Sequence, residues 1–309
     1  MKRIALGVLL AAAAPLTAQQ RDWSKVEVKA EKVAEGIWMI TGAGGNIGLS
    51  AGADGAFLID DQFAPLTEKI KAAVASVTDK PIRFLINTHY HPDHVGGNEN
   101  LGAGGTLIVA HENARKRLNM EWFNETFRSQ MKPMPAAALP VVTFTESVTF
   151  HWNGEEIRAF HVPPAHTDGD TAVYFAKANV LHTGDLQFNG LYPVIDYAAG
   201  GSIDGMVAAC DRLMAVIDEK TKVIPGHGPL TNEGGLKEFR DMLATVRDRV
   251  KPMVAAGKSI DEVRAAKPTA DFDAKWGGGF YKPDVWVGIV YASLGGKLPP
   301  PTPTPAPAP

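Results

Sequence analysis

The chain has 309 residues and a formal net charge of −3, with 45% hydrophobic and 21% charged residues, which is the composition of an ordinary soluble globular protein. This length can bury a large core, in one large domain or in two small ones. No run of like charge suggests a nucleic-acid-binding or membrane-binding surface, so we expect neither as a partner.

The N-terminus has the layout of a secretory signal peptide. Lys2 and Arg3 precede an apolar stretch over residues 4–16, and small residues surround Ala18. A charged start, a short apolar middle and a small-residue exit are typical of such peptides. Residues 1–18 are therefore predicted to be cleaved after Ala18, and the protein to be periplasmic or secreted. A membrane anchor is disfavoured, because a spanning helix needs about 20 apolar residues.

The C-terminus is rich in proline, and residues 297–309 are predicted to form an extended, disordered tail outside the fold. No low-complexity linker interrupts the chain between its two ends, so residues 24–296 are predicted to form one domain. The single cysteine, Cys210, lies on an apolar stripe with helical spacing, which favours a packed thiol. A disulfide within the chain is excluded.

Short apolar strands alternate with helices along this domain. In chain order, the pattern predicts strands at 37–40, 47–50 and 56–60, a helix at 66–77, strands at 82–86 and 107–110, and a helix at 112–118. Strands follow around 141–150, 157–161, 171–175 and 180–182, then a helix at 203–217, a strand at 222–224 and a helix at 235–250. Two strand-rich blocks with helices on the outside favour an α/β fold, a four-layer αββα sandwich.

Residues 123–140 interrupt this rhythm, with several prolines and no clear periodicity. A loop of this length inside a compact domain is commonly a lid or a binding wall. A disordered surface insertion is the other interpretation, and the sequence does not choose between them.

The most informative segment is Thr-His-Tyr-His-Pro-Asp-His-Val-Gly, in which His89, His91, Asp93 and His94 stand within six residues. Imidazole and carboxylate are the ligands that zinc and its first-row neighbours prefer. So many ionisable groups in one short loop conflict with one another unless a bound cation resolves the conflict. The segment therefore predicts a metal site rather than a loop of solvated histidines.

Four further loops carry metal-binding residue types at or near the ends of predicted strands. They contain Pro-Ala-His166, Gly-Asp185, Pro-Gly-His227 and, early in the chain, Asp60. Glycine beside a ligand lets the backbone turn sharply and approach an ion closely.

These motifs, in this order, resemble those of the metallo-β-lactamase fold superfamily. The resemblance implies an αββα fold with two metal ions in the cleft between its halves. It implies one ion held by His89, His91 and His166, a second held by Asp93, His94 and His227, and Asp185 bridging the two. Zn²⁺ suits these ligands, and Fe or Mn is chemically admissible. Asp60 resembles the carboxylate that orients a metal-bound histidine, although it could also be a plain turn residue.

The chemistry implied is hydrolysis by a metal-bound hydroxide that attacks a carbonyl carbon, with Asp93 able to accept and return a proton. A small molecule carrying an amide, lactone or ester is the expected substrate. True β-lactamases of this superfamily carry cysteine or serine where this chain has Asp185, so weak or promiscuous β-lactamase activity is the most we expect. The alternatives are a thioesterase, a phosphodiesterase or a mononuclear iron sulfur-dioxygenase of the same fold, and a non-catalytic binding module.

Substrate contacts are predicted at Phe188, Asn189 and Tyr192, which follow Asp185 closely, and at Asn46 in a glycine-rich loop. Each could instead be a turn residue without a ligand contact. The remaining histidines, namely His111, His151, His161 and His182, are expected to have no direct role. The sequence carries no indication of oligomeric state.

Overall fold

A computed structural model describes residues 21–298. The predicted signal peptide and all but the first two residues of the predicted tail lie outside this range. Within residues 21–298, no helix combines the length and the apolarity that a membrane crossing requires.

The strands form two large sheets and one small hairpin. The strands are β1 Lys29–Ala34, β2 Ile37–Thr41, β3 Ile47–Gly52, β4 Gly55–Ile59, β5 Ile82–Asn87, β6 Leu107–His111, β7 Trp122–Asn124, β8 Ser129–Met131, β9 Val142–Phe144, β10 Ser147–Trp152, β11 Glu155–His161, β12 Thr171–Phe175, β13 Val180–His182, β14 Lys222–Ile224 and β15 Thr231–Asn232. The first sheet has the order β1-β2-β3-β4-β5-β6-β9, the second has the order β10-β11-β12-β13-β14-β15, and β7 pairs only with β8.

Helices cover the outer faces of both sheets. They are α1 Thr67–Ala75, α2 Pro92–Val95, α3 Asn98–Ala103, α4 Glu112–Leu118, α5 Ile203–Met214, α6 Glu233–Ala255, α7 Ile260–Ala265, α8 Asp273–Trp276 and α9 Pro283–Ser293. Side chains of α1 and α3 pack on the first sheet, and those of α5, α6 and α9 pack on the second. The arrangement confirms the predicted αββα sandwich.

The inner faces of the two sheets form a shared apolar core. Phe57 and Ile86 of the first sheet lie in one cluster with Ile157 and Phe175 of the second. Alternate residues of each strand point to this core, because successive side chains of a strand face opposite sides of the sheet. The core holds the sheets face to face, and their strand ends therefore meet along one edge.

Most predicted elements are present, and the differences have local causes. The region predicted to be strand around 141–150 is two strands in different sheets, because the chain crosses between the sheets after Phe144. The helix predicted at 235–250 begins at Glu233, where the Asn232 side chain accepts a hydrogen bond from the Gly235 N–H and caps the helix. The elements that were not predicted include β1, β7, β8, β15, α7, α8 and α9.

The 123–140 segment contains most of the β7–β8 hairpin, followed by a short 3₁₀ turn at Ala136–Ala138. It is therefore ordered rather than a disordered insertion. Cys210 is fully buried on α5, as the apolar stripe predicted, and burial raises the pKa of its thiol.

We expect Phe57→Ala to lower the free energy of unfolding by about 3–5 kcal/mol, because it opens a cavity in the core between the sheets. Phe57 is fully buried and packs against Phe84 and Phe150, with ring centroids 5.6 and 4.9 Å away. Urea unfolding of the metal-stripped protein measures this change. Val141→Ala is the control, since Val141 is 67% exposed, and it should change stability by no more than about 0.5 kcal/mol. Equal effects of the two substitutions would contradict the assignment of the core.

Candidate metal centre

The loops that follow five strands bring the predicted ligands to one edge of the sandwich. His89 follows β5, His166 lies between β11 and β12, Asp185 follows β13 and His227 follows β14. Asp60 follows β4, next to β5 in the same sheet. The rigid sheets fix where each loop begins, so residues far apart in sequence converge there.

One group of ligand-type side chains contains His89, His91, His166 and Asp185, all buried, with candidate ligand atoms within 4.8 Å of one another. His166 Nε2 lies 2.8 Å from His91 Nδ1. Asp185 Oδ2 lies 3.4 Å from His166 Nε2 and 3.8 Å from His89 Nε2. Four donor atoms therefore converge on one point.

A second group contains Asp93, His94 and His227. His227 Nε2 lies 3.4 Å from Asp93 Oδ2 and 3.3 Å from His94 Nε2. The other oxygen of Asp185, Oδ1, faces this group, at 3.1 Å from His94 Nε2 and 3.4 Å from His227 Nε2. The two oxygens of Asp185 thus face two different groups, which is the geometry of a bridging carboxylate.

The donor atoms fit divalent cations. His89 Nε2 and Asp185 Oδ1 are buried side-chain atoms with no hydrogen-bond partner among the described residues. A buried polar atom without a partner costs free energy, so such atoms normally have a ligand or an ion beside them. Imidazole nitrogens with carboxylate oxygens are a donor set for Zn²⁺ or a neighbouring first-row ion.

The pKa shifts of the two groups also favour bound cations. Burial lowers the pKa of His89 well below its usual range and that of His166 to about 4, so both rings are neutral, with a lone pair to offer. Burial also lowers the pKa of His227, but Asp185 and Asp93 outweigh it and raise the value to about 9. Burial raises the pKa of Asp185, yet the surrounding histidines hold it well below its usual range. The ionised Asp185 carboxylate therefore needs positive charge on both sides.

Asp60 occupies the position beside a ligand that the resemblance implied. Its Oδ2 lies 2.7 Å from His94 Nδ1 and accepts the Thr88 hydroxyl at 2.7 Å, while its Oδ1 accepts the Thr88 N–H at 2.8 Å. Because the carboxylate accepts, His94 Nδ1 must carry the proton, which leaves Nε2 free to bind a cation. Asp60 adopts a positive φ of 63°, as few residues other than glycine do.

Asp196 orients His91 as Asp60 orients His94, and no sequence motif marks this residue. Its buried Oδ2 lies 3.0 Å from His91 Nε2 and accepts from Asn124 Nδ2 at 2.8 Å and from the Tyr90 hydroxyl. His91 is thereby oriented with Nδ1 towards the first group. Asp196 stands in no motif, and only the fold brings it beside His91.

Gly226 allows the close packing around Asp185. A Cβ atom at this position would lie 2.1 Å from Asp185 Oδ1 and 2.6 Å from the Gly184 backbone. Gly184 has a φ of 51°, in the region that favours glycine. The glycines beside Asp185 and His227 therefore have the role expected of them.

The four predicted substrate contacts are not among the residues that line the cavity over the two groups, and their side chains make other contacts. Their contact with a substrate stays a prediction. Asn46 donates both hydrogens of its amide to backbone carbonyls, those of Pro225 at 2.9 Å and Gly228 at 2.8 Å. Asn189 donates its side-chain N–H to the Pro229 carbonyl at 2.9 Å. Both side chains therefore hold loops together.

Phe188 and Tyr192 are buried behind the site. Phe188 stacks on the His227 ring with a centroid distance of 4.8 Å and supports that ring. Tyr192 stacks on Trp286 at 4.2 Å and donates its hydroxyl to Asp273 at 2.8 Å, among the outer helices. Proximity to Asp185 in sequence was the only basis for the prediction, and the chain turns into the core there.

A cavity of about 390 Å³ opens over the two groups, and His91, Asp93, Asp185 and His227 lie on its wall. Its other walls include Phe63, Pro92, Phe127, Met131, Val194 and Phe280. Tyr281 also lines it, and burial raises the pKa of this hydroxyl to about 12, which keeps it neutral. The β7–β8 hairpin supplies Phe127 and Met131, so the 123–140 segment forms a binding wall.

The remaining histidines belong to neither group. His182 is buried, and its Nε2 lies 3.0 Å from the Asn46 carbonyl, to which it donates. His111 and His161 stack on each other with ring centroids 3.9 Å apart. His151 lies exposed on β10.

Comparison with known proteins agrees with this geometry. Residues 40–230 match the sequence profile of the metallo-β-lactamase superfamily. The chain therefore belongs to the metallo-β-lactamase superfamily, as the resemblance predicted. A solved metallo-β-lactamase from Pontibacter korlensis aligns with 70% of this chain and 99% of its own, with a TM-score of 0.58 and 21% identity, which shows the fold alone.

Two curated relatives share part of the chain. A hydroxyacylglutathione hydrolase from Pelagibacter ubique is 26% identical over 163 residues, 51% of this chain and 57% of the relative. A probable metallo-hydrolase, YqgX of Bacillus subtilis, is 27% identical over 192 residues, 58% of this chain and 87% of the relative. The chain thus spans little more than half the length of the first relative.

Asp196→Asn and Asp60→Asn should weaken different metal positions, because each carboxylate orients a histidine of a different group. We expect each substitution to lower the zinc affinity of its own group about 10–100-fold, leaving one tight site. Titration of metal-stripped protein with Zn²⁺ against a chromophoric chelator measures both affinities. Asp79→Asn, which removes an exposed carboxylate, is the control for charge. Two unchanged affinities in Asp196→Asn would show that its carboxylate does not position His91.

Proposed function

We propose that the chain is a binuclear zinc-dependent hydrolase that cleaves amide, lactone or ester bonds of a small molecule. The observation that carries the proposal is the position of Asp185, with one oxygen towards each of two ligand groups. His89, His91 and His166 would hold one ion, Asp93, His94 and His227 the other, and Asp185 would bridge them. A pair of divalent ions supplies an activated water and polarises the carbonyl oxygen.

Asp93 is the residue placed to transfer protons during the reaction. Asp93 is 27% exposed, more than the other ligand-type side chains of its group, and lies on the cavity wall. Burial raises its pKa, but His94 and His227 outweigh this and lower it to about 2, so the carboxylate is ionised. Its position on the cavity wall, and not this low pKa, suits it to take a proton from water and return it to the leaving oxygen or nitrogen.

Thioester hydrolysis is the second candidate, favoured by the similarity to a hydroxyacylglutathione hydrolase. β-Lactamase activity, if present, is expected to be weak, because an aspartate stands where true β-lactamases have cysteine or serine. A mononuclear iron dioxygenase would use only part of this ligand set, with one ion. The presence of Asp93, His94 and His227 as a second group favours two ions.

Removal of the metal should abolish hydrolysis. We expect dialysis against a chelator to remove about two ions per chain, and Zn²⁺ to restore activity towards lactones, esters and, weakly, nitrocefin. Elemental analysis and a substrate panel with a thioester and a phosphodiester measure these outcomes. One iron per chain with oxygen consumption, or no turnover above the metal-free control, would reject the proposal.

The proposal includes export to the periplasm or the medium, supported by the layout of residues 1–18. The full chain expressed in a Gram-negative host should yield an exported protein that begins at Gln19, as N-terminal sequencing of the periplasmic fraction would show. A variant with Lys2 and Arg3 changed to Glu should remain in the cytoplasm. Cytoplasmic protein that retains Met1 would contradict export.

A further inference from the structure

The cavity wall beyond the ligand groups is largely apolar, half of its residues are aromatic, and its polar side chains are the hydroxyls of Ser129 and Tyr281. Phe127 and Met131 come from the β7–β8 hairpin, Phe280 from the loop before α9, and Phe63 and Val194 from two further loops. An apolar wall binds apolar surface through the hydrophobic effect, at about 25 cal/mol per Å². This wall therefore suits the part of a substrate that does not react.

The carboxylates that line the cavity belong to the two ligand groups. Among the described residues, those that line it include no lysine, arginine or glutamate, and the carboxylates are those of Asp93 and Asp185. Arg128 and Lys282 stand beside lining residues in sequence, but neither is a lining residue. An anionic group distant from the reacting carbonyl would have no cation to meet on the wall.

The hairpin that supplies part of this wall is fixed relative to the ligands. Asn124 donates to Asp196 at 2.8 Å, and its Oδ1 accepts the N–H groups of Thr126 at 2.8 Å and Phe127 at 3.2 Å. The Phe127 ring meets the His91 ring edge-on, with centroids 5.1 Å apart. The wall is thus preorganised and loses little entropy when a substrate binds.

We propose that the substrate is uncharged and carries an alkyl or aryl group within a few bonds of the reacting carbonyl, with Phe127 and Phe280 selecting for that group. This inference rests on the proposed hydrolase function. In lactone hydrolysis, the oxygen of water bonds to the carbonyl carbon and the ring C–O bond breaks. The leaving oxygen takes a proton, and the products are a hydroxy carboxylate and one released proton.

A homologous series of γ-lactones, from γ-butyrolactone to γ-dodecalactone, tests the preference on the zinc-loaded full chain. We expect kcat/KM to rise about fourfold per added methylene until the cavity is filled. Ethyl hexanoate should exceed monoethyl adipate, its carboxylate-ended counterpart, by at least about tenfold in kcat/KM, because the wall offers that carboxylate no cation.

Variants of the wall test its residues. Phe127→Ala and Phe280→Ala should each lower the ratio of kcat/KM between γ-dodecalactone and γ-butyrolactone by about tenfold or more. Phe123→Ala is the matched control, since Phe123 is a 48% exposed phenylalanine of the same hairpin that is not a lining residue. It should leave the ratio unchanged. Phe127→Leu, which keeps apolar bulk, should retain most of it.

Turnover that is independent of chain length would overturn the inference while leaving the hydrolase proposal intact. A preference for monoethyl adipate or for S-D-lactoylglutathione that Arg128→Ala or Lys282→Ala removes would overturn it as well. If no carbonyl compound is hydrolysed, the inference is tested by binding instead. Calorimetry then compares the dissociation constants of N-octylpyrrolidinone and N-methylpyrrolidinone. Octyl binding that is about tenfold tighter, and lost in Phe127→Ala, would support the wall. Equal binding would reject it.

Discussion

The buried carboxylate of Asp185 is the group on which the rest of the site depends. It lies between two sets of histidines, and each of its oxygens faces a different set. An ionised carboxylate without water around it requires positive charge close by. The chain provides imidazoles that can hold a cation on either side, and it uses glycine at 226 because any Cβ there would collide with this carboxylate.

The αββα sandwich holds the two groups of ligand-type side chains within a few ångströms of each other. Strands β5, β13 and β14 end at one edge of the sandwich. The apolar core between the sheets holds these strand ends together. Two further carboxylates, those of Asp60 and Asp196, then orient imidazole rings of the two groups. Asp60 holds His94 and Asp196 holds His91, so the two ligand groups are oriented by independent contacts.

The wall of the cavity is connected to one of these carboxylates by hydrogen bonds. Asp196 contacts both His91 and Asn124, and Asn124 in turn holds the hairpin that carries Phe127. One carboxylate therefore sets the position of a ligand-type histidine and of part of the cavity wall. Changes in the hairpin are expected to alter specificity, whereas changes in the strands beneath it alter stability.

The sequence by itself determined the ligand types, their order and the sandwich, because a dense run of histidine and aspartate in a loop and periodic apolar strands are local patterns. Its predicted substrate contacts at Tyr192 and Asn46 are not among the cavity-lining residues, and it missed Asp196, β1 and the hairpin. Only the tertiary structure decided the role of Asp196, because its contact with His91 joins residues 105 positions apart. No local pattern records which side chain packing will bring beside a ligand.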